Sequence, residues 1–153
     1  MSKGGDVLLA VQARLQQITT ANGYPITIKD VMIGKGQLTL NLPQEKCPSI
    51  EIIQGPENYE HQNSNIVITN AFVLRLIDKK TKTDIEMEDF KSCVIRALFG
   101  NAYAGTGNSA LNYAGKIIAP RVVRCESDYN MVDANRIYAL LLETERITQA
   151  YNF

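Results

Sequence analysis

Charge of one sign is what this sequence most plainly lacks. Its 153 residues carry 16 Lys+Arg against 16 Asp+Glu, a formal net charge of +0, which removes the usual electrostatic argument for a nucleic-acid binder. The same balance leaves little self-repulsion, so the chain suits a subunit of something larger. Long apolar runs are missing too. The longest, residues 7–11 and 137–142, fall far short of the roughly twenty residues that cross a bilayer. The N-terminus places Asp6 ahead of a short apolar stretch and offers no small-residue cleavage site, which is not the pattern of a signal peptide; the cytoplasm of the producing cell is the expected place of synthesis. Cysteine is sparse: Cys47, Cys93 and Cys125 are odd in number, widely spaced and form no C-x-x-C pair, so reduced thiols are expected. There is one histidine, His61, and there are no internal repeats or low-complexity tracts. With 45% hydrophobic and 21% charged residues the composition is that of an ordinary globular domain. A chain of this size buries about two thirds of its unfolded surface without help from disulfides or metal. One domain over residues 1–153 is expected.

What is present is patterning. Val7, Leu8, Val11, Leu15 and Ile18 recur at helical spacing behind Asp6, read as an N-cap, and the pattern stops at Asn22-Gly23 ahead of Pro25; this predicts an amphipathic first helix. From Ile26 the period drops to two. Ile26, Ile28 and Met32 alternate with Thr27 and Lys29, and Gly34-Lys35-Gly36 then leads into residues 38–42, which predicts a hairpin of two short strands. Residues 49–54 read as a third strand, introduced by Cys47-Pro48 and stopped by Gly55-Pro56. Residues 57–65 are polar, hold His61 and read as a solvated loop. The strongest strand follows at 66–77, with Ile66, Ile68, Phe72, Leu74 and Leu76 on one face and Val67, Thr69, Ala71, Val73 and Ile77 on the other; a strand apolar on both faces belongs in the middle of a sheet.

Residues 78–82 are a charged turn. Thr83-x-x-Glu86 has capping-box spacing ahead of Met87, Phe90, Val94, Ala97 and Leu98, a second amphipathic helix that Gly100 ends. Residues 101–115, small and aperiodic, read as a long loop or an irregular turn of helix. Residues 116–125 read as a strand interrupted by Pro120, which suits a sheet edge or a bulge. Residues 128–135 are polar, and 136–150 read as a closing strand, with a helix as the alternative. The layout is α+β: a mixed, mostly antiparallel β-sheet flanked by two amphipathic helices, with an irregular loop or insertion at about 101–135.

The few residues that invite a chemical reading each have a plainer one. Any Ser-His-Asp or Cys-His arrangement must use His61, which sits in a Glu/Gln/Asn-rich segment where a solvated histidine is the ordinary case. Cys93, between Phe90 and Leu98, reads as a buried inert thiol. Cys47 and Cys125 have no histidine cluster at zinc spacing, so no metal is expected. Glu86, Glu88 and Asp89 stand at a helix start, where the dipole alone favours acids. Gly105-Thr106-Gly107 is followed by Asn108-Ser109 and lacks a third glycine, so it matches neither a phosphate loop nor a dinucleotide fingerprint. Lys79, Lys80 and Lys82 form a basic knuckle, and Arg121, Arg124 and Arg136 are read as a second; solvation and edge protection explain them, and contact with an acidic partner is the functional alternative. No nucleophile, base and stabiliser come together. The chain reads as a structural or interaction protein without enzyme activity or cofactor, whose loops (aromatic and small residues at 103–113) and sheet edges meet neighbours.

The order of elements resembles that of a known family. The helix ending at Gly23-Tyr24, the proline-led strand 48–57 (Pro-Ser-Ile-Glu-Ile-Ile-Gln-Gly-Pro-Glu), the polar stretch, the long alternating strand, the helix ending at Ala97-Leu98-Phe99-Gly100 and the C-terminal strand are similar to the tail terminator proteins of tailed bacteriophages, small α+β subunits that close the tail tube. The similarity runs from about Asp6 to Gly100 and again through the last strand, and rests on element order rather than on a specific motif. It implies a homo-oligomeric ring, a hexamer, located in the tail or neck of the virion, that sits on the last ring of tail tube protein, stops polymerisation and joins the neck or connector protein. In a contractile tail it implies contact with the sheath protein as well; DNA only passes through the lumen, and no membrane is involved. Such a ring needs a heterologous interface of at least about 1,000 Å² per contact and two different axial faces. The candidate contact residues are Lys35; Glu57, Tyr59 and His61; Lys79, Lys80 and Lys82; Tyr103 and Tyr113; and Arg121, Arg124 and Arg136. The alternatives are a head-completion or neck adaptor protein, which would bind the portal side, and a small thiol-dependent enzyme using Cys47 or Cys93. Zero net charge disfavours a nucleic-acid module.

Overall fold

The computed structural model describes residues 3–34, 42–99, 121–127 and 135–149, the side chains of 3–4 and 146–149 aside. The first helix, α1 (Lys3–Leu15), begins upstream of Asp6, so that this residue lies in the first turn rather than capping it; an acid is favoured there by the helix dipole. Its buried stripe is Val7, Val11 and Leu15. The helix ends before the apolar pattern does. Ile18 is still buried, but the chain has passed into a single 3-10 turn at Thr20–Asn22, where Asn22 N donates to Thr19 Oγ1 at 3.2 Å and Gly23 takes φ 86°. Glycine adopts that left-handed conformation without steric cost.

Most of the second strand of the hairpin expected at 26–42 lies outside the described residues. Strand β1 covers only Asp30–Ile33 and pairs in parallel with β2 (Ser49–Gln62). Of the expected second strand only Leu42 is described, and it is not in a strand. Leu42 N donates to Asn135 Oδ1 at 2.7 Å and Asn135 Nδ2 donates to the Leu42 carbonyl at 3.1 Å, which ties Leu42 to the start of the last strand.

Strand β2 also runs past Gly55-Pro56 and through the segment expected to be a loop. A register shift between Gln54 and Glu57 absorbs the Gly-Pro pair as a bulge, and a Cβ on Gly55 would stand 3.0 Å from the Ala71 carbonyl oxygen, so the strands approach too closely there for a side chain. After a turn in which Asn63 takes φ 56°, a conformation Asn tolerates, β3 (Asn65–Lys79) returns along the whole of β2. Helix α2 (Asp84–Phe99) starts on the expected capping box: Glu86 N donates to Thr83 Oγ1 and Thr83 N donates to Glu86 Oε1, each at 3.2 Å. Strand β4 (Arg121–Ser127) begins just after Pro120, and β5 (Asn135–Gln149) is a strand rather than a helix.

These strands form one mixed sheet in the order β1-β2-β3-β5-β4, antiparallel except for β1 and β2. The fold is α+β, as expected, and β3 is central. Both helices cover one face. Ile50 and Ile52 of β2, Phe72, Leu74 and Leu76 of β3, and Tyr138, Leu140 and Leu142 of β5 share a core with the α1 stripe and with Met87, Phe90, Val94 and Leu98 of α2. Burying a large apolar side chain of this kind is worth about 1.5–3 kcal/mol. Polar bonds set the helices in place: Gln12 Nε2 donates to the Val31 carbonyl at 2.9 Å and Arg14 Nε to the Ala97 carbonyl at 3.2 Å. The Arg96 guanidinium lies 4.6 Å from the centre of the Tyr24 ring, a cation–π contact.

Candidate functional site

The expected contact residues that are described fall at two ends and one edge of the sheet. Glu57, Tyr59 and His61 lie on the outer half of β2, beyond the bulge. Glu57 is an acceptor for three side chains: Gln54 Nε2 and Asn70 Nδ2 donate to its Oε1, each at 3.0 Å, and the Tyr59 hydroxyl donates to Oε2. This fixes the direction of the strand just after the bulge and leaves the Tyr59 ring 50% exposed. His61, opposite Ile66 in register, is exposed near the hairpin tip.

Lys79, Lys80 and Lys82 gather at the opposite end, and Arg136 joins them. It stands across from Asp78 in the β3–β5 ladder, with Nη2 2.5 Å from Asp84 Oδ1 and Nη1 donating to the Lys82 carbonyl at 2.8 Å. One guanidinium thus ties the start of β5 to the start of α2. Lys82 Nζ lies 3.1 Å from Glu86 Oε2, and Lys80 is exposed. Behind these cations Asp78 is buried, and that burial raises its carboxyl above the ordinary range, against the lowering pull of the Lys79 backbone N–H, Lys82 and Lys79. The basic knuckle therefore has an acid beneath it.

Arg121 and Arg124 lie elsewhere, on β4 at the rim of the sheet. The expected grouping of three arginines is therefore divided: Arg121 pairs with Glu143 at 2.5 Å and Arg124 with Glu126 at 3.3 Å, while Arg136 belongs to the lysine end. Between Val122 and Arg124 the ladder slips by one residue, and the bulged Val123 is left 49% exposed. Glu60, Val123 and Glu126 were not singled out in the sequence; the only signal at Val123 is the Val122-Val123 doublet, which breaks an alternating pattern. Lys35, Tyr103 and Tyr113 lie outside the described residues, as does the whole of 101–115.

The thiols are not activated. Burial raises all three above the ordinary cysteine value, Cys47 further through the charge of Asp78, and the nucleophilic form of a cysteine is the thiolate. Cys47 Sγ accepts from Asn135 Nδ2 at 3.5 Å beside the start of β2, whereas His61 is near the strand's other end. No group of three or more His, Cys, Asp or Glu side chains among the described residues is arranged to hold a metal ion, and no described helix is long and apolar enough to cross a membrane. The arrangement has one tip with acids and aromatic surface, one cationic end, and an arginine-bearing edge.

The fold recurs in a virion. A chain in the solved "Virion of native gene transfer agent (GTA) particle" is similar to this one, with a TM-score of 0.52 over 93% of this chain and 98% of that one. Sequence identity is 16%, so the likeness is one of fold. No family model and no curated protein matches the sequence.

Proposed function

We propose that this chain is a structural virion subunit that closes into a ring on the end of a phage tail tube, in the manner of a tail terminator, halting tube growth and presenting its other axial face to the neck. The observation that carries this reading is the fold shared, over nearly the full length of both chains, with a chain of a gene transfer agent virion. The two ends of the sheet support it. A terminator needs axial faces that meet different partners, and here the hairpin tip carries Tyr59, Glu60 and His61 while the far end carries Lys79, Lys80 and Arg136. Burial raises the Cys47 and Cys93 thiols, which disfavours the thiolate that a thiol enzyme would need. On this reading the partners are further copies of the chain, tube protein and a neck protein, with DNA passing through the lumen.

Light scattering at several concentrations, followed by negative-stain imaging with and without tail tubes, tests the proposal. Rings in solution, or monomers that form rings on tube ends, are the expected result. A chain that never caps tubes overturns it, and a ring that binds a portal assembly while ignoring tubes transfers the chain to the neck-adaptor role.

A further inference from the structure

The turn between α1 and β1 plays no part in the contacts described above, yet its chemistry is distinctive. Asn22 is followed by Gly23, and no other Asn-Gly pair occurs in the sequence. The pair closes the single 3-10 turn Thr20–Asn22, and both residues are exposed. Gly23 takes φ 86°, and a Cβ built on it would meet nothing within 4 Å. Its backbone nitrogen is therefore flanked by open space and by no side chain of its own.

We propose that Asn22-Gly23 is a site of spontaneous deamidation, with water as the co-reactant. Asparagine is among the thermolabile side chains, and a following glycine leaves the attacking nitrogen uncrowded. The Gly23 backbone nitrogen gives up its proton to solvent and attacks the Asn22 side-chain carbonyl carbon. That new C–N bond closes a cyclic imide, and Nδ2 leaves as ammonia after taking up a proton. Water then adds to one of the two imide carbonyls. Opening at the side-chain carbonyl leaves an ordinary aspartate; opening at the main-chain carbonyl reroutes the backbone through Cβ and Cγ as isoaspartate. In sum a water is consumed, ammonia is released, nothing is oxidised or reduced, and a neutral amide becomes a carboxylate.

The turn sets the pace. Gly23 N donates to the Thr20 carbonyl at 3.1 Å and Tyr24 N to the Thr19 carbonyl at 3.2 Å, while Asn22 Nδ2 donates to the Gln17 carbonyl at 2.9 Å. Nucleophile and leaving group are both tied until the turn opens. Exposed turns of this kind open at small free-energy cost, so the folded chain reacts, but more slowly than the unfolded one. The product cannot restore the turn as it was. The Gln17 carbonyl loses its donor and meets a carboxylate instead. Arg96 Nη1 lies 3.5 Å from the Gly23 carbonyl oxygen, with its guanidinium over the Tyr24 ring, so the new charge arises next to a cation of α2.

The test incubates the full chain at mildly alkaline pH, folded and in guanidinium chloride, and follows the peptide that contains Asn22 by mass spectrometry; circular dichroism verifies that the first sample stays folded. The expected result is the mass shift of an NH2 replaced by an OH at residue 22, carried by two products that separate on chromatography, in both samples and more slowly in the folded one. Asn22→Gln keeps an exposed amide at the same place but would have to close a larger ring, and its peptide is expected to stay unchanged. An Asn22 that remains intact in the folded chain after the denatured sample has converted overturns the proposal, as does an intact Asn22 in both. An equal mass shift in the Asn22→Gln peptide overturns it as well, since the reacting amide would then lie elsewhere.

Discussion

Glu51 and Arg75 face each other across β2 and β3 on the side of the sheet away from the helices, their Oε1 and Nη1 2.7 Å apart and their side chains 3% and 10% exposed. At that burial the attraction between the two charges has to offset the loss of both hydration shells, and the pair is worth more intact than broken. Arg75→Met removes the buried cation that faces the Glu51 carboxylate, and a loss of about 3–5 kcal/mol is expected. Glu51→Leu combined with Arg75→Met removes both charges and is expected to recover most of that loss. Urea midpoints for the two single variants and the double variant measure the coupling; strictly additive losses would show that the two side chains do not act as a pair.

Asp78 and Glu86 are expected to move stability in opposite directions with pH. Burial raises the Asp78 carboxyl, so the folded chain holds that proton more tightly than the unfolded one. Its contribution is complete below the unfolded pKa and is lost as pH rises through the folded pKa. Glu86 is lowered, first by the Thr83 backbone N–H and then by Lys82, so its contribution is present above the unfolded pKa and is lost as pH falls through the folded one. Thermal melts across the carboxylate range should therefore show Asp78→Asn gaining on the wild type as pH rises, and Glu86→Gln falling behind it. Curves parallel to the wild type would remove both assignments.

Phe72 is fully buried between sheet and helices, while Val123 stands half out of the β4 bulge. Phe72→Ala is expected to cost about 3–5 kcal/mol. Val123→Ala is expected to change folding stability by no more than about 0.5 kcal/mol. Urea denaturation of the two variants compares the sites, and a large folding loss at Val123 would place it in the core instead.

The thiols should label slowly in the folded protein. Burial raises Cys47, Cys93 and Cys125, so maleimide modification is expected to be slower than in urea and to accelerate with pH, with half-buried Cys125 reacting first. Mass spectrometry of timed samples reads the order. Rapid labelling of Cys47 at neutral pH would contradict the burial and return the thiol enzyme to consideration.

The elements that burial creates were the ones open to reading from the residues. One face of β3 is fully buried, and Val67, Ala71 and Val73 on the other are partly buried, so 66–77, apolar on both faces, stands out as a central strand. Thr83-x-x-Glu86 marks the start of α2 through two local bonds, and Pro120 announces an edge strand. The outer half of β2 gave no such signal. Residues 58–62 are exposed on both faces, so nothing alternates; they are strand because each lies opposite a residue of β3, a relation visible only in three dimensions. Gly55-Pro56 marks a stop in most chains and a bulge in this one. Likewise the alternation that starts at Ile26 announces a strand but not its partner: β1 is Asp30–Ile33 and pairs in parallel with β2, a strand that comes later in the chain. The three arginines read as one group are divided: Arg136 is separated from the other two because β5, not β4, reaches the lysine end.

The full length of β3, Asn65 to Lys79, is matched residue for residue by β5, Asn135 to Gln149. On the ribosome β5 emerges after the other four strands, so until then one whole side of the central strand has no partner and β4 has nothing to attach to. Contacts this distant in sequence slow folding and expose strand edges to other chains while they wait. During synthesis, therefore, the nascent protein presents a long apolar edge beside many identical neighbours, and premature chain termination before residue 135 yields a sticky fragment rather than a smaller domain.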